Sequence, residues 1–145
     1  MIYKRNASDF MTGNVIVAGV NNTFDQVMEF FTRHKIQHLP VAEGTRLIGI
    51  ISIKDMLTFM QDYLAGSGDV SKAALNAAFS IEKVMTANPT TVSPDTPQKD
   101  ILEISAAGKF QAVPVVKSGD LVGIITNKDI TRLYHYDATH ILSIS

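Results

Sequence analysis

The chain has 145 residues, of which 46% are hydrophobic and 19% charged, with a formal net charge of -1 and no cysteine. That length suits one compact domain or two small halves sharing a core, and that composition excludes a disordered chain. The missing thiols exclude disulfides and thiolate metal sites and fit a reducing, cytoplasmic setting, while the near-neutral charge lacks the basic surplus of a nucleic-acid binder. The opening stretch, MIYKRNASDFM, has no apolar run suited to a secretory signal, and no run of about 18 apolar residues suits a membrane span.

In chain order, Met11-Thr12 precedes a short extended piece, NVIVAG. A helix follows, capped by Asn22 or Thr23, with Val27, Met28, Phe30 and Phe31 at helical spacing. HLPVAEGTRLIGIIS then places a polar turn between two apolar runs, which predicts a β-hairpin covered on both faces. A second helix covers IKDMLTFMQDYLA, AGSGD is a flexible break, and VSKAALNAAFSIEKVM reads as a connecting helix.

The same order then returns. Met85-Thr86 stands 74 positions after Met11-Thr12, and that offset also pairs Pro40 with Pro114, Gly49 with Gly123, Lys54 with Lys128, and Asp55 with Asp129. NPTTVS is the second extended piece; Thr96 is placed to cap a helix with Pro97 at its first position and Ile101, Leu102 and Ile104 inside. AVPVVKSGDLVGIIT predicts the second hairpin and NKDITRLYHYD the last helix, followed by a tail, ATHILSIS. A constant offset through strands, turns and helices means one fold used twice. The fold class is α/β (α+β): two β-α-β-β-α repeats, at 9–65 and 83–136, joined by a linker helix at 66–82 and followed by a tail at 137–145. A repeat of this size is marginal alone, so the halves are expected to pack as a pseudo-twofold pair with clefts between them.

Catalytic and metal signatures are weak. His34 and His38 have i, i+4 spacing, but the chain passes from helix to strand between them. Ser80 and Lys83 match an S-x-x-K pattern without its companion motifs, and Ser80 is more simply a helix cap. GSGDVSK lacks the full phosphate-loop pattern and reads as a linker. What remains is the repeated I-[ST]-x-K-D. Ser52 or Thr126 can cap a helix with Asp55 or Asp129 at its third position. The same carboxylate can accept two hydrogen bonds from a ribose diol, next to a helix N-terminus and a lysine suited to phosphate.

Met-Thr, an extended piece, a helix, IQHLPV or FQAVPV, a turn, L-x-G-I-I-x-x-K-D and a helix, all repeated, resemble the cystathionine-β-synthase (CBS) domain family, whose tandem pair is a Bateman module. The resemblance covers about residues 9 to 134. It implies a regulatory, non-enzymatic module that binds an adenosine compound (AMP, ADP, ATP or S-adenosylmethionine) in two clefts and needs no cofactor. It maps the hydroxyl-x-x-Asp pattern onto Ser52 to Asp55 and Thr126 to Asp129, with the Asp holding the ribose. The favoured site combines Thr126 and Asp129 with Ile16, Gln37, His38 and Lys54; the second combines Ser52 and Asp55 with Thr90, Gln111, Ala112 and Lys128. His38 and Lys54 give the first set two phosphate donors, whereas the second has Ala112 opposite and only Lys128 as cation. The bland readings are a strand-edge His38, solvated Lys54 and Lys128, and a core Ile16. Output through an unidentified effector protein is expected, as is a homodimer formed by exposed helix faces carrying Leu57, Met60, Tyr63, Leu133 and Tyr134. The alternative is a protein-interaction or dimerisation module with no nucleotide ligand.

Overall fold

The computed structural model describes residues 5–108 and 111–144, with side chains followed as far as 137. In chain order its elements are α1 (Ala7–Phe10), α2 (Phe24–His34), β1 (His38–Glu43), β2 (Arg46–Ser52), α3 (Ile53–Gly66), α4 (Lys72–Ala78), α5 (Ile81–Val84), β3 (Thr86–Ala87), α6 (Gln98–Ala106), β4 (Ala112–Lys117), β5 (Asp120–Thr126) and α7 (Asn127–Ile144). These elements form an α/β fold in two compact units. One is Ile16–Pro89; the other joins the chain up to Val15 to the chain from Thr90 onward.

In the unit Ile16–Pro89, Thr23 is the cap of α2: its hydroxyl accepts from the Gln26 amide at 3.2 Å while the Gln26 side chain accepts from the Thr23 amide at 3.0 Å. Asn22 is used otherwise, its side-chain oxygen accepting from the Gly19 amide at 2.7 Å. Lys35, in the left-handed region at φ 52°, ends the helix. Strands β1 and β2 form the expected hairpin, pairing His38 with Ser52 and Glu43 with Arg46, and the Gly44-Thr45 loop turns with Gly44 at φ 59°. The core gathers Val27, Phe31, Leu39, Val41, Ile51, Met56, Phe79 and Ile81.

The connecting helix expected from Val70 to Met85 is broken. It ends at Ala78, Phe79 is extended at φ -82°, ψ 135°, and a separate turn begins at Ile81. The break turns Phe79 inward, edge-on to Phe24 and Phe59 with centroids 5.8 and 5.2 Å away. Such aromatic pairs contribute about 0.5–1.5 kcal/mol each beyond area burial, which favours the kink over a continuous helix exposing Phe79.

The other unit repeats the plan. Strands β4 and β5 pair Ala112 with Thr126 and Lys117 with Asp120, and the register shifts between Val115 and Val116 as it does between Val41 and Ala42 in the first hairpin. Val92, Ile101, Val113, Val115, Ile125 and Ile130 form its core. The two extended pieces fall short of strands: each makes a single parallel bridge, Ala18 to Val41 and Val92 to Val115. At α6 the Thr96 hydroxyl does not cap; it accepts from the Ser93 amide at 2.9 Å, and Pro97 stands at the cap position. The segment read as a tail continues α7 to Ile144, since neither Gly nor Pro interrupts it. Ser145 lies outside the described residues.

The Met-Thr anchors pack away from the repeats that they open. Thr12 bridges Ile124 antiparallel within the N-terminal and C-terminal unit, and β3, carrying Thr86, pairs with β2 in the other. The repeated glycines make this approach possible. A Cβ on Gly123 would stand 3.0 Å from the Thr12 carbonyl oxygen, and one on Gly49 2.9 Å from that of Thr86. The sequence boundaries at 9–65 and 83–136 therefore do not coincide with the edges of the packed units.

Candidate functional site

Each hairpin delivers its last hydroxyl and the following aspartate to a helix start. In the unit Ile16–Pro89, Ser52 ends β2 and caps α3. Its hydroxyl accepts from the Asp55 amide at 3.1 Å, and Asp55 Oδ2 accepts from the Ser52 amide at 2.8 Å. The strand register sets His38 opposite Ser52. Burial pushes the His38 imidazole below its ordinary value, and the nearby Asp55 carboxylate partly offsets this. The first amide of α3, from Ile53, donates to the Gln37 carbonyl at 3.0 Å. Gln37 therefore has a backbone role in seating the helix, with its side chain left exposed. Lys54 is exposed on the first turn of α3, and Ile16 is half-buried against the core.

The other unit builds the same corner from Thr126 and Asp129, with different surroundings. Asp129 is the buried charged residue of the described chain, only 3% exposed. Its Oδ2 accepts from the Thr126 amide at 2.9 Å and the Thr126 hydroxyl at 3.2 Å. Its Oδ1 accepts from the Thr12 hydroxyl at 3.0 Å and from the Arg132 guanidinium. A carboxylate offers about four acceptor positions, so this one is fully engaged. The position of α7's first turn adds the favourable end of the helix dipole. Gln111 again has a backbone role, its carbonyl accepting from the Asn127 amide at 3.2 Å. Ala112 is buried opposite Thr126, while Thr90 and Lys128 are exposed.

The structure thus brings together His38, Gln37, Ser52 and Asp55 in one unit and Gln111, Ala112, Thr126 and Asp129 in the other. Sequence reading missed the two donors that complete the Asp129 site. Thr12 arrives from 117 positions away, visible only as a repeated Met-Thr; Arg132 was available as the i, i+3 partner of an acid on a helix. Neither has an equivalent at Asp55: position 58, which corresponds to Arg132, is Thr58, and among the described residues Thr86 makes no bond to Asp55. Leu133, expected on an exposed face, is buried, three residues after the core residue Ile130; Tyr134 beside it is 60% exposed. Among the described residues no three His, Cys, Asp or Glu side chains cluster as a metal site.

Comparison with known proteins places this corner in a family. The family model for the CBS domain matches twice, at residues 7–62 and 81–136. Inosine-5'-monophosphate dehydrogenase of Korarchaeum cryptofilum is 28% identical over 127 residues, covering 87% of this chain but 24% of that enzyme, so the chain spans about a quarter of that relative. The solved CBS domain pair of protein MJ0100, in complex with 5'-methylthioadenosine and S-adenosyl-L-methionine, aligns with a TM-score of 0.74 and 26% identity, covering 93% of this chain and 99% of the other. CBSX2, known from Arabidopsis thaliana and solved in complex with AMP, gives a TM-score of 0.77 at 24% identity, covering 92% and 98%, a likeness of fold. Two matches, each covering a hairpin, the helix start after it and its Ser/Thr-x-x-Asp corner, show that this chain belongs to the CBS domain family as a tandem pair, a Bateman module.

Proposed function

We propose that the chain is a regulatory ligand-sensing module that binds an adenosine compound, AMP, ADP, ATP or S-adenosylmethionine, and has no enzymatic role of its own. CBS-pair relatives bind adenosine-containing ligands, as the MJ0100 complex records. The observation that carries the reading is the duplicated corner: a carboxylate held at a helix start by the backbone amide three residues before it, in both units. A carboxylate so held is a preorganised acceptor for a ribose diol, and the adjoining helix start favours phosphate. The favoured residue set is Ile16, Gln37, His38, Lys54, Thr126 and Asp129. The second is Ser52, Asp55, Thr90, Gln111, Ala112 and Lys128. The ranking rests on donors: the His38 imidazole N–H and the Lys54 ammonium offer two to phosphate where Ala112 and Lys128 offer one.

No helix among the described residues is long and apolar enough to cross a membrane. We assign the module to the cytoplasm, as a homodimer acting on an effector protein. The second reading, an interaction module without nucleotide, draws support from α3. Ile53, Leu57, Met60 and Leu64 fall at i, i+4, i+7 and i+11, and Leu57 is 60% exposed. Titration with adenosine compounds separates the two readings: binding supports the first, and its absence from every compound tried leaves the second.

A further inference from the structure

We infer that Arg132 is a built-in competitor of the ligand, holding an acceptor position on Asp129 that the ribose must take over. The inference rests on the ribose-holding role proposed above for Asp129. The Asp129 side chain is 1% exposed, and the Arg132 side chain that pairs with it is 65% exposed. All four donors to the carboxylate come from the protein itself, so a diol can enter only by displacing one. The Thr126 amide is fixed by the backbone, and the hydroxyls of Thr126 and Thr12 are short side chains anchored on β5 and beside Ile124. Arg132 is the exception. It is long, mostly in water, and loses little on release because its guanidinium is readily rehydrated.

The device is confined to one copy of the repeat. The position of Arg132 is filled by Thr58 on α3, and Asp55 is only partly buried and, among the described residues, has no arginine on it. The two corners share a carboxylate held by the amide three residues before it but differ in whether ligand entry is opposed. Arg132 then sets a threshold: ligands reach Asp129 only when their ribose contacts outweigh the guanidinium.

The test compares the whole chain with its Arg132→Met variant, which keeps the apolar stem and removes the donors. Adenosine, uncharged, is the probe, so that any attraction between arginine and phosphate is left out. The expected result is adenosine affinity at least about threefold higher in the variant, the range of a partly exposed ion pair. Added salt should strengthen adenosine binding to the parent by screening the Arg132–Asp129 pair and leave the variant unchanged. In the parent, adenosine should shift the Arg132 guanidinium resonances towards those of a free arginine. Equal or weaker adenosine binding in the variant, with the parent binding normally, overturns the inference and leaves the ligand reading standing. Failure of both proteins to bind adenosine, AMP, ATP and S-adenosylmethionine defeats the ligand reading itself, and the competitor role falls with it.

Discussion

Replacing Asp129 by Ala should harm the fold far more than replacing Asp55, although the two residues occupy equivalent places in the repeat. At Asp55 the substitution removes half of a capping box, the single bond to the Ser52 amide, at a half-buried site. Loss of such a cap costs about 1 kcal/mol. At Asp129, itself buried, it removes the acceptor of the amide and hydroxyl of half-buried Thr126 and of the hydroxyl of exposed Thr12. Arg132 returns to solvent with little loss. Hydrogen bonds to a charged group contribute about 1.5–3 kcal/mol each, and water and rotation of the hydroxyls recover part of this, so a total of about 2–4 kcal/mol is expected. Urea denaturation of the parent and both variants reads the difference directly. A double-mutant cycle with Thr12→Val should give a coupling of about 0.5–3 kcal/mol, because Thr12 and Asp129 are in direct contact. An Asp129→Ala variant no less stable than Asp55→Ala, or zero coupling to Thr12, would refute the reasoning.

Acid should weaken the fold through His38. Its folded value lies below the unfolded one of 6.5, so the unfolded chain binds the extra proton first. Its contribution is intact above that pH and is lost as pH falls through 6.5 towards the folded value; a His38→Gln variant should show a smaller loss between neutral and mildly acidic pH. In Asp55→Ala, which lacks the carboxylate that raises it, His38 should titrate lower still by NMR. Gly123→Ala should destabilise by about 1–3 kcal/mol, since its Cβ would press on the Thr12 backbone, and a melt equal to the parent's would contradict the packing described. Leu57→Asp, on the exposed face of α3, should convert the proposed homodimer to a monomer by light scattering; a parent that is already monomeric would remove the basis of that proposal.

Most of the fold was legible because the repeat made each element its own control. The hairpins followed from apolar runs around Gly44 and Gly119, and the helix starts from Thr23 and Ser52. The break at Phe79 was hidden because Ala-rich sequence favours helix locally, whereas the gain from pairing with Phe24 and Phe59 is tertiary. Thr96 looked like a cap, but Ser93 lies nearer its hydroxyl in the folded turn. Of the site, the aspartates stood out by their duplication. Thr12 did not, because its bond to Asp129 depends on the N-terminal segment packing beside β5, which spacing along the chain does not reveal. Leu133 and Tyr134 are neighbours in sequence about 100° apart around α7, one buried and one exposed, and only the packing distinguishes them.

Calorimetric titration with AMP, ATP and S-adenosylmethionine tests the central claim most directly, using the parent and the Asp129→Ala and Asp55→Ala variants at a temperature where melts show all three folded. The account predicts that at least one of these compounds binds the parent, and that Asp129→Ala weakens it at least about tenfold, since each hydrogen bond to a charged acceptor contributes about 1.5–3 kcal/mol. Asp55→Ala should weaken it less. Absence of binding by all three compounds, or unchanged affinity in the Asp129 variant, would contradict it.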